Sequence, residues 1–343
     1  MRRVRTMEEF ASASGISRPT VSKYFQDPGS VRESTRARIE AALERLEYRP
    51  NVYAMNQNRR LTRNIGVVVP LLSDPFFGEL ARILERLCIE AGFRPILLSS
   101  DGDGAREGEN LDTLLSLKPA GALMAPLGRA SDRDAVAGFA AEVPTVLVDN
   151  NLEGIGAEFV GLDVGRAVGT IVDYLCRSGP PPCLFEMADP PNPNARRRRA
   201  AYAAAMGRLG HEPMVVSVPG EGWEFEEIGL RGGLAMLEGG GAPSGTVLCS
   251  NDRLAIGLLA AAFRQGVRVG IGKGCAMRVA GIDDHPFARF TCPSLTTVAQ
   301  DYERMAGRAV ATLLSVMEGG GSGPAGERRE VIFDGRLVMR SSA

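Results

Sequence analysis

From residue 65 onward, short apolar runs alternate with longer amphipathic stretches, and this alternation restricts the larger part of the chain to an α/β fold. Apolar runs of this kind predict strands, and stretches with apolar residues at helical spacing predict helices. Because strands that alternate with helices form βαβ units, we expect parallel sheets. Spacing alone permits either one barrel or two doubly wound sheets. Strands are expected at 65–69, 95–98, 121–125, 145–148, 183–187, 214–218, 246–249 and 278–281, and helices at 76–91, 106–117, 131–141, 164–177, 195–209, 224–238, 252–265 and 301–317.

The length and composition are typical of a folded protein with two or three domains. The chain has 343 residues, of which 44% are hydrophobic and 24% are charged,. It has no apolar stretch long enough for a membrane span, and its N-terminus lacks the apolar segment of a secretory signal. The six cysteines form no CxxC pair and are expected to be reduced, and two histidines are too few for a histidine-based metal site,. We therefore expect a cytoplasmic protein without a metal.

Charge divides the chain into a basic head and an acidic remainder. Residues 1–64 contain 13 Lys and Arg against 7 Asp and Glu, a net charge of +6, whereas the rest carries −7. A small basic segment on a larger acidic protein is typical of a nucleic-acid-binding head. Solvated arginine-rich helix faces are the alternative explanation.

The head has the pattern of a helix-turn-helix. Thr6 is a suitable N-cap with Glu9 completing a capping box, Gly15 ends the first helix, and Ser17 begins a second that runs to Phe25,. A third helix follows Ser34. Hydroxyls and cations on the second helix suit phosphate oxygens and guanine edges, although a solvated three-helix cap has the same outline. The residues expected at DNA are Thr6, Ser17, Arg18, Pro19, Thr20, Ser22 and Lys23.

Here the sequence resembles the lac/galactose repressor family of bacterial transcription regulators. The resemblance lies in the run ASASGISRPTVSK at 11–23, in Thr35-Arg36 followed by Ile39, in LEYRPN at 46–51, and in LVMRSS at 337–342. It implies that the second helix reads the major groove. It also implies that the body consists of two Rossmann-like lobes with parallel sheets, similar to a periplasmic binding protein.

The resemblance also implies domain boundaries. Residues 1–50 are expected to form the helix-turn-helix domain, 51–64 a hinge helix and linker, and 65–343 the effector-binding domain. Lobe 1 should comprise about 65–161 and 292–320, and lobe 2 about 162–291 and 321–343. The chain should cross between the lobes near Leu162, near Thr291 and at 319–323.

The hinge segment departs from the family pattern. In the family it enters the minor groove, which implies DNA contacts for Asn51, Ala54, Met55 and Gln57. Gln57 stands where the family has an apolar leucine that wedges base steps apart. Either Met55 supplies the apolar contact, or this protein bends its operator less, or Gln57 is a solvated linker residue.

Polar and aromatic side chains follow several of the predicted strands. Asp74, Phe76 and Phe77 follow the first strand, and Asp149 and Asn150 follow the fourth. Ligands of doubly wound sheets bind at the carboxyl ends of the strands. Carboxylates, amides, an arginine and flat rings form a typical sugar site. Any one of these polar residues could instead be a helix N-cap.

The family resemblance adds residues to this site. It places Arg198, Trp223, Asn251, Asp283 and Gln300 at effector-binding positions. Arg198 is expected to face Asp74 and Phe76 across the cleft. The other arginines of the run 196–199 are expected to be solvated. An arginine among carboxylates should lower the pKa of each.

Motifs for other functions are absent from the sequence. It has no strand–GxGxxG–helix unit, no GxxxxGK[ST] loop and no GxSxG elbow, so we expect neither a cofactor nor an enzyme,. We expect a homodimeric transcriptional regulator, acting as a repressor, that binds a palindromic operator in the nucleoid and is controlled by a sugar or polyol. The alternatives are a sugar-binding protein for transport, a regulator that senses a nucleoside or nucleobase, and a carbohydrate-active enzyme.

Overall fold

The computed structural model describes Val4, residues 6–26, 28–46, Tyr48, 62–319 and 328–343. The chain divides into two compact units, Met1–Thr62 and Arg63–Ala343, which we call the head and the body. The predicted hinge residues Asn51, Ala54, Met55 and Gln57 lie outside the described residues.

In the part of the head that the structure describes, three α-helices surround a small aromatic and aliphatic core. The Thr6 hydroxyl accepts a hydrogen bond from the Glu9 amide at 3.1 Å, and Gly15 adopts a left-handed φ of 67° that ends the first helix. Phe10 is fully buried and stacks on Tyr48 with 4.8 Å between ring centroids. The helices are α1 Met7–Ser14, α2 Arg18–Gln26 and α3 Glu33–Leu46, with a 3₁₀ turn at Pro28–Ser30.

The body contains two parallel sheets, which resolves the choice left by strand spacing in favour of two doubly wound lobes. The first sheet has the order β11-β5-β4-β3-β1-β2 and the second the order β7-β6-β8-β9, while β10 and β12 form an antiparallel pair. The strands are β1 Asn64–Val69, β2 Arg94–Ser99, β3 Gly121–Met124, β4 Thr145–Val148, β5 Glu158–Leu162, β6 Cys183–Met187, β7 Val215–Val218, β8 Thr246–Cys249, β9 Arg278–Ala280, β10 Thr297–Ala299, β11 Arg329–Phe333 and β12 Arg336–Val338.

Helices cover both faces of each sheet, as the continuous apolar strands require. In β1, Val67 belongs to the apolar cluster that contains the first and last body helices, while Val68 belongs to the cluster on the opposite face. The body helices are α4 Pro75–Glu90, α5 Gly104–Ser116, α6 Arg133–Glu142, α7 Val164–Ser178, α8 Pro193–Arg208, α9 Phe225–Glu238, α10 Asp252–Arg264 and α11 Tyr302–Glu318.

The lobe boundaries differ from the expected ones at two of the three crossings. The chain leaves the first sheet after Leu162. It stays with the second lobe beyond Thr291, because Thr296 bridges to Ala280 and β10 pairs with β12, so it crosses only after Ala299. The last crossing also lies later than the expected 319–323. Strand β11 pairs with β5 of the first sheet, so the chain crosses back to the second lobe only after Phe333. Strands β5, β10, β11 and β12 were not predicted because they are short or lack a continuous apolar run.

Within the described ranges, no helix is both long and apolar enough to cross a membrane.

Candidate functional site

A cleft between the two lobes of the body collects most of the predicted effector residues. Nine of the ten predicted side chains line it, and they come from both lobes. Its free volume is about 50 Å³, well below the roughly 300–1,000 Å³ of pockets that hold drug-sized ligands. The lobes must therefore separate to admit a sugar. The predicted residues at the cleft are Asp74, Phe76, Phe77, Asp149, Arg198, Trp223, Asn251, Asp283 and Gln300.

Asn150 is the predicted effector residue that does not line the cleft. Asp149 has a φ of 65°, and the Asn150 amide donates to the Val148 carbonyl at 2.8 Å, so the chain turns tightly here. The turn buries the Asn150 side chain, whose Nδ2 donates to the Pro126 carbonyl at 2.9 Å. Asn150 therefore ties two loops of the first lobe together and lies outside the lining of the cleft.

Asp74 joins the two lobes through Arg253. Asp74 caps α4 by accepting from the Phe76 amide at 2.9 Å, and its other oxygen accepts from Arg253 Nη1 at 2.9 Å. Arg253 also makes a two-point ion pair with Glu226, at 2.7 and 2.6 Å. The sequence analysis overlooked Arg253, although it lies two positions after the predicted Asn251.

Glycines bring Glu226 within reach of Arg253. A Cβ at Gly257 would collide with the Glu226 carbonyl, and a Cβ at Gly229 would collide with the Leu254 carbonyl. Helices α9 and α10 therefore pack at backbone contact, which places the start of one helix beside the start of the other.

Arg198 extends from α8 to the end of β9. Its Nη2 donates to Asp283 Oδ1 at 2.5 Å, and its Nη1 donates to the Ser250 carbonyl at 2.7 Å. Gln300 Nε2 also donates to Asp283, at 3.0 Å. Asp283 has a φ of 117°, which a non-glycine residue rarely adopts and which costs about 1–3 kcal/mol,. Strained backbone at the ends of two cleft strands, here and at Asp149, is typical of a functional site.

Burial dominates the electrostatics of the cleft. Desolvation raises the pKa of Asp149 to about 7 and also raises the pKa of Asp283, although Arg198 opposes both shifts. Burial, with Asp283 nearby, raises the pKa of Asp252 to about 7. The expectation that arginine lowers these values is wrong, because the lobes remove the carboxyls from water.

Aromatic rings form one wall of the cleft. Trp223 meets Phe77 of the other lobe edge-on at 6.1 Å, and Phe76 meets Tyr302 at 5.4 Å. A Cβ at Gly102 in the first lobe would collide with the Trp223 indole. Flat apolar surface of this kind suits the apolar face of a sugar ring.

Four buried polar atoms of cleft residues have no hydrogen-bond partner among the residues that the structure describes. They are Asp149 Oδ2, Arg198 Nε, His285 Nε2 and Gln300 Oε1. The His285 Nδ1 accepts from the Phe287 amide at 3.0 Å, so the neutral ring carries its proton on Nε2,. Two donors and two acceptors are thus available to a ligand that has both kinds of group. His285 and Tyr302 were not predicted, since neither directly follows a strand of the expected pattern.

The arginine run at 196–199 divides by helix face. Arg198 is buried, whereas Arg196 is exposed and lies 3.6 Å from Asp189. Arg199 is not simply solvated as expected, because its Nη1 lies 2.8 Å from the buried Glu186 carboxylate.

The head presents the predicted DNA side chains along α2. Ser17, Arg18, Pro19 and Lys23 are exposed, and Thr20 and Ser22 are half-buried. Ser17 and Thr20 share a hydrogen bond between hydroxyls at 2.8 Å, and Arg18 pairs with Glu8 at 2.6 Å. The exposed pair is weak and can exchange for another acceptor. Val21 faces the core, so the polar face of α2 is fixed outward.

Known proteins match both units. Residues 6–51 match "Bacterial regulatory proteins, lacI family", and residues 175–343 match a periplasmic binding protein-like domain. HTH-type transcriptional regulator PtxS of Pseudomonas plecoglossicida is 30% identical over 319 residues, 92% of this chain and 89% of the relative. The ribose operon repressor of Escherichia coli (strain K12) is 28% identical over 315 residues, 90% of this chain and 92% of the relative. The crystal structure of the lac repressor dimer bound to operator and the anti-inducer ONPF has a TM-score of 0.82 at 23% identity, over 99% of each chain.

Proposed function

This chain belongs to the lacI family of bacterial regulatory proteins, and from that premise we propose that it is a transcriptional repressor whose operator affinity is set by a sugar or polyol bound in the cleft. The DNA-binding part of the proposal is supported by the outward polar face of α2 and by the net charge of +6 over residues 1–64. Hydroxyl and cationic side chains position a helix on phosphates and read base edges.

The repressor acts as a homodimer on a palindromic operator. A single three-helix head reads too few base pairs for specific binding in a genome. Large apolar side chains are exposed on the second lobe, and we propose that a second copy of the chain covers some of them. These are Phe263, Ile271, Phe287, Phe290 and Met339. The lac repressor in complex with its operator is also a dimer.

The observation that carries the effector assignment is the set of unpartnered polar atoms beside the aromatic wall. A sugar hydroxyl both donates and accepts, so it can satisfy Asp149 Oδ2 and Gln300 Oε1 as well as Arg198 Nε and His285 Nε2,. The cleft serves binding and not catalysis, in keeping with relatives that are named as regulators. The name of the ribose operon repressor supports a sugar-related ligand.

The test compares the full chain with a variant that begins at Arg63. We expect the full chain to bind a palindrome selected from random duplexes, with log K falling by roughly 0.9 per neutralised phosphate as log salt rises. The truncated body should lose operator binding and still be stabilised by sugars or polyols in a thermal-shift screen.

Two variants of the head provide the matched control. Arg18→Ala should weaken discrimination among operators by about 1–3 kcal/mol if Arg18 makes a bidentate base contact. Arg38→Ala removes the same charge from an exposed position on α3 and should weaken the discrimination among operators less than Arg18→Ala does. If the truncated body keeps full operator affinity, the assignment of DNA binding to the head is wrong.

A further inference from the structure

The cleft contains more carboxylates than cations. Four aspartates line it, against two arginines and one histidine. Burial lowers the pKa of His285, which keeps its ring neutral near pH 7. The aspartates are Asp74, Asp149, Asp252 and Asp283, and the arginines are Arg198 and Arg253.

Both arginines are already neutralised within the protein. Arg253 donates through Nε and Nη2 to Glu226 and through Nη1 to Asp74, so its charge is shared by two carboxylates. Arg198 directs its two terminal nitrogens to Asp283 and to the Ser250 carbonyl. Each nitrogen of Arg253 donates to a carboxylate and the forked end of Arg198 is occupied by Asp283, so a ligand carboxylate or phosphate would find only the Nε side of Arg198 open, on an arginine already paired with a carboxylate,.

No arginine in the described part of the chain forms an ion pair with Asp149. Its Oδ1 accepts from Asn194 Nδ2 at 3.1 Å, its Oδ2 is unpartnered, and the residue is 6% exposed. The other charged groups that act on it are Asp74 on the first lobe, Arg197 and Arg198 on α8, and Asp283 beyond β9. A buried carboxylate with one open oxygen attracts a hydroxyl donor and repels an anion.

We infer that the cleft selects its ligand by charge: it accepts an uncharged polyhydroxyl compound and rejects the same compound bearing a carboxylate or phosphate, with Asp149 as a specificity-determining residue. This inference rests on the proposed sugar-binding function of the cleft. It narrows the ligand class, because the oxidised and phosphorylated forms of a sugar keep most of its hydroxyls and differ in charge.

The experiment is calorimetric titration of the full chain with matched probes. The neutral probes are D-glucose, D-ribose and D-xylose, and the anionic probes are their aldonates and their terminal phosphates. At about pH 8 we expect at least one neutral sugar to bind at least tenfold tighter than both of its anions, which is ~1.4 kcal/mol or more.

Two other outcomes are distinguishable: one overturns only the charge selection, and the other overturns the proposed sugar effector itself. An anion that binds as tightly as its parent sugar overturns the charge selection and leaves the proposed sugar-binding function standing. If no probe of either charge binds, the proposed sugar effector is overturned, and the inference falls with it.

An Asp149→Asn variant tests the assigned residue. Asparagine has nearly the same shape and can still accept from Asn194, but it carries no charge, so we expect the neutral-to-anion ratio to fall at least threefold. Asp112→Asn is the matched control, because it removes one charge from an exposed site on α5 of the same lobe. Equal ratios in both variants would remove Asp149 from charge selection.

The pH dependence is a second readout that does not depend on folding of a variant. The pKa of Asp149 is raised to about 7 by burial, so acidification neutralises it while D-gluconate stays ionised,. Between about pH 8 and about pH 5.5, the ratio of glucose to gluconate affinity should therefore decrease. A constant ratio would contradict the inference.

Discussion

At the scale of single residues, one arginine in a run of four differs from its neighbours because of helical spacing. Asn194, Arg198 and Tyr202 are four positions apart and all are buried, so they form the inner face of α8,. Arg196 lies on another face and is exposed. The same residue type therefore has two roles within one helical turn.

Replacing Arg198 by lysine should weaken the binding of an effector sugar about ten- to a hundred-fold, or ~1.5–3 kcal/mol. A lysine carries the charge but cannot make the forked contacts to Asp283 and Ser250, nor leave an Nε free for a hydroxyl,. Calorimetry with a sugar that binds the unmodified chain measures the loss. Arg196→Lys is the control and should change the affinity little. Similar small losses in both variants would exclude Arg198 from the effector site.

At the scale of elements, the N-terminus of α4 is linked to α10 across the cleft. Asp74 is both the cap of α4 and the partner of Arg253, and these two functions use different oxygens. Asparagine and aspartate are comparable N-caps, so an asparagine at position 74 can still cap α4. It cannot form the ion pair with Arg253, because its side chain carries no charge. The two roles can therefore be separated by one substitution.

An Asp74→Asn variant should make the lobes separate more readily while α4 stays capped. The chain has one tryptophan, and Trp223 lies against Phe77 and Gly102 of the opposite lobe, so its fluorescence reports the separation. We expect stronger acrylamide quenching and a loss of about 1–3 kcal/mol in unfolding free energy. Asp103→Asn, at the exposed cap of α5, is the control. Equal quenching in the two variants would show that the Asp74–Arg253 pair does not hold the lobes together.

At the scale of the whole molecule, the closed cleft makes stability depend on pH. Asp149 and Asp252 have pKa values raised to about 7, from an ordinary value of 3.8. Between those values the folded chain binds more protons than the unfolded chain. Their contribution to stability is therefore full below about pH 4 and is lost as the pH rises through 7.

The free energy of unfolding should consequently show a component that decreases between about pH 5 and about pH 8. Denaturant titrations of the full chain and of Asp149→Asn measure it, since the substitution removes one of the two groups and should flatten the slope. The exposed Asp112→Asn substitution should leave the slope unchanged. A slope that is the same in all three proteins would mean that Asp149 does not titrate in this range.

The sequence by itself determined the elements that local patterns encode. The run TVLV at 145–148 is a strand buried on both faces, and Thr6, Glu9 and Gly15 place the ends of α1 where the capping pattern predicts them. The rule that ligands bind at the carboxyl ends of strands predicted that Asp74 and Asp149 lie at one site, and both line the cleft,. Such features are readable because they depend on residues only a few positions apart.

The tertiary structure alone decided which side chains pair and how they ionise. Asp74 and Arg253 are 179 positions apart, and no local pattern indicates that they pair. The strand β11 joins the first lobe although the chain around it was expected in the second, because β5 offers it an open edge. The raised pKa values of Asp149 and Asp283 follow from their burial in the folded body. Pairing and desolvation are determined by distances in space, which the order of residues does not specify.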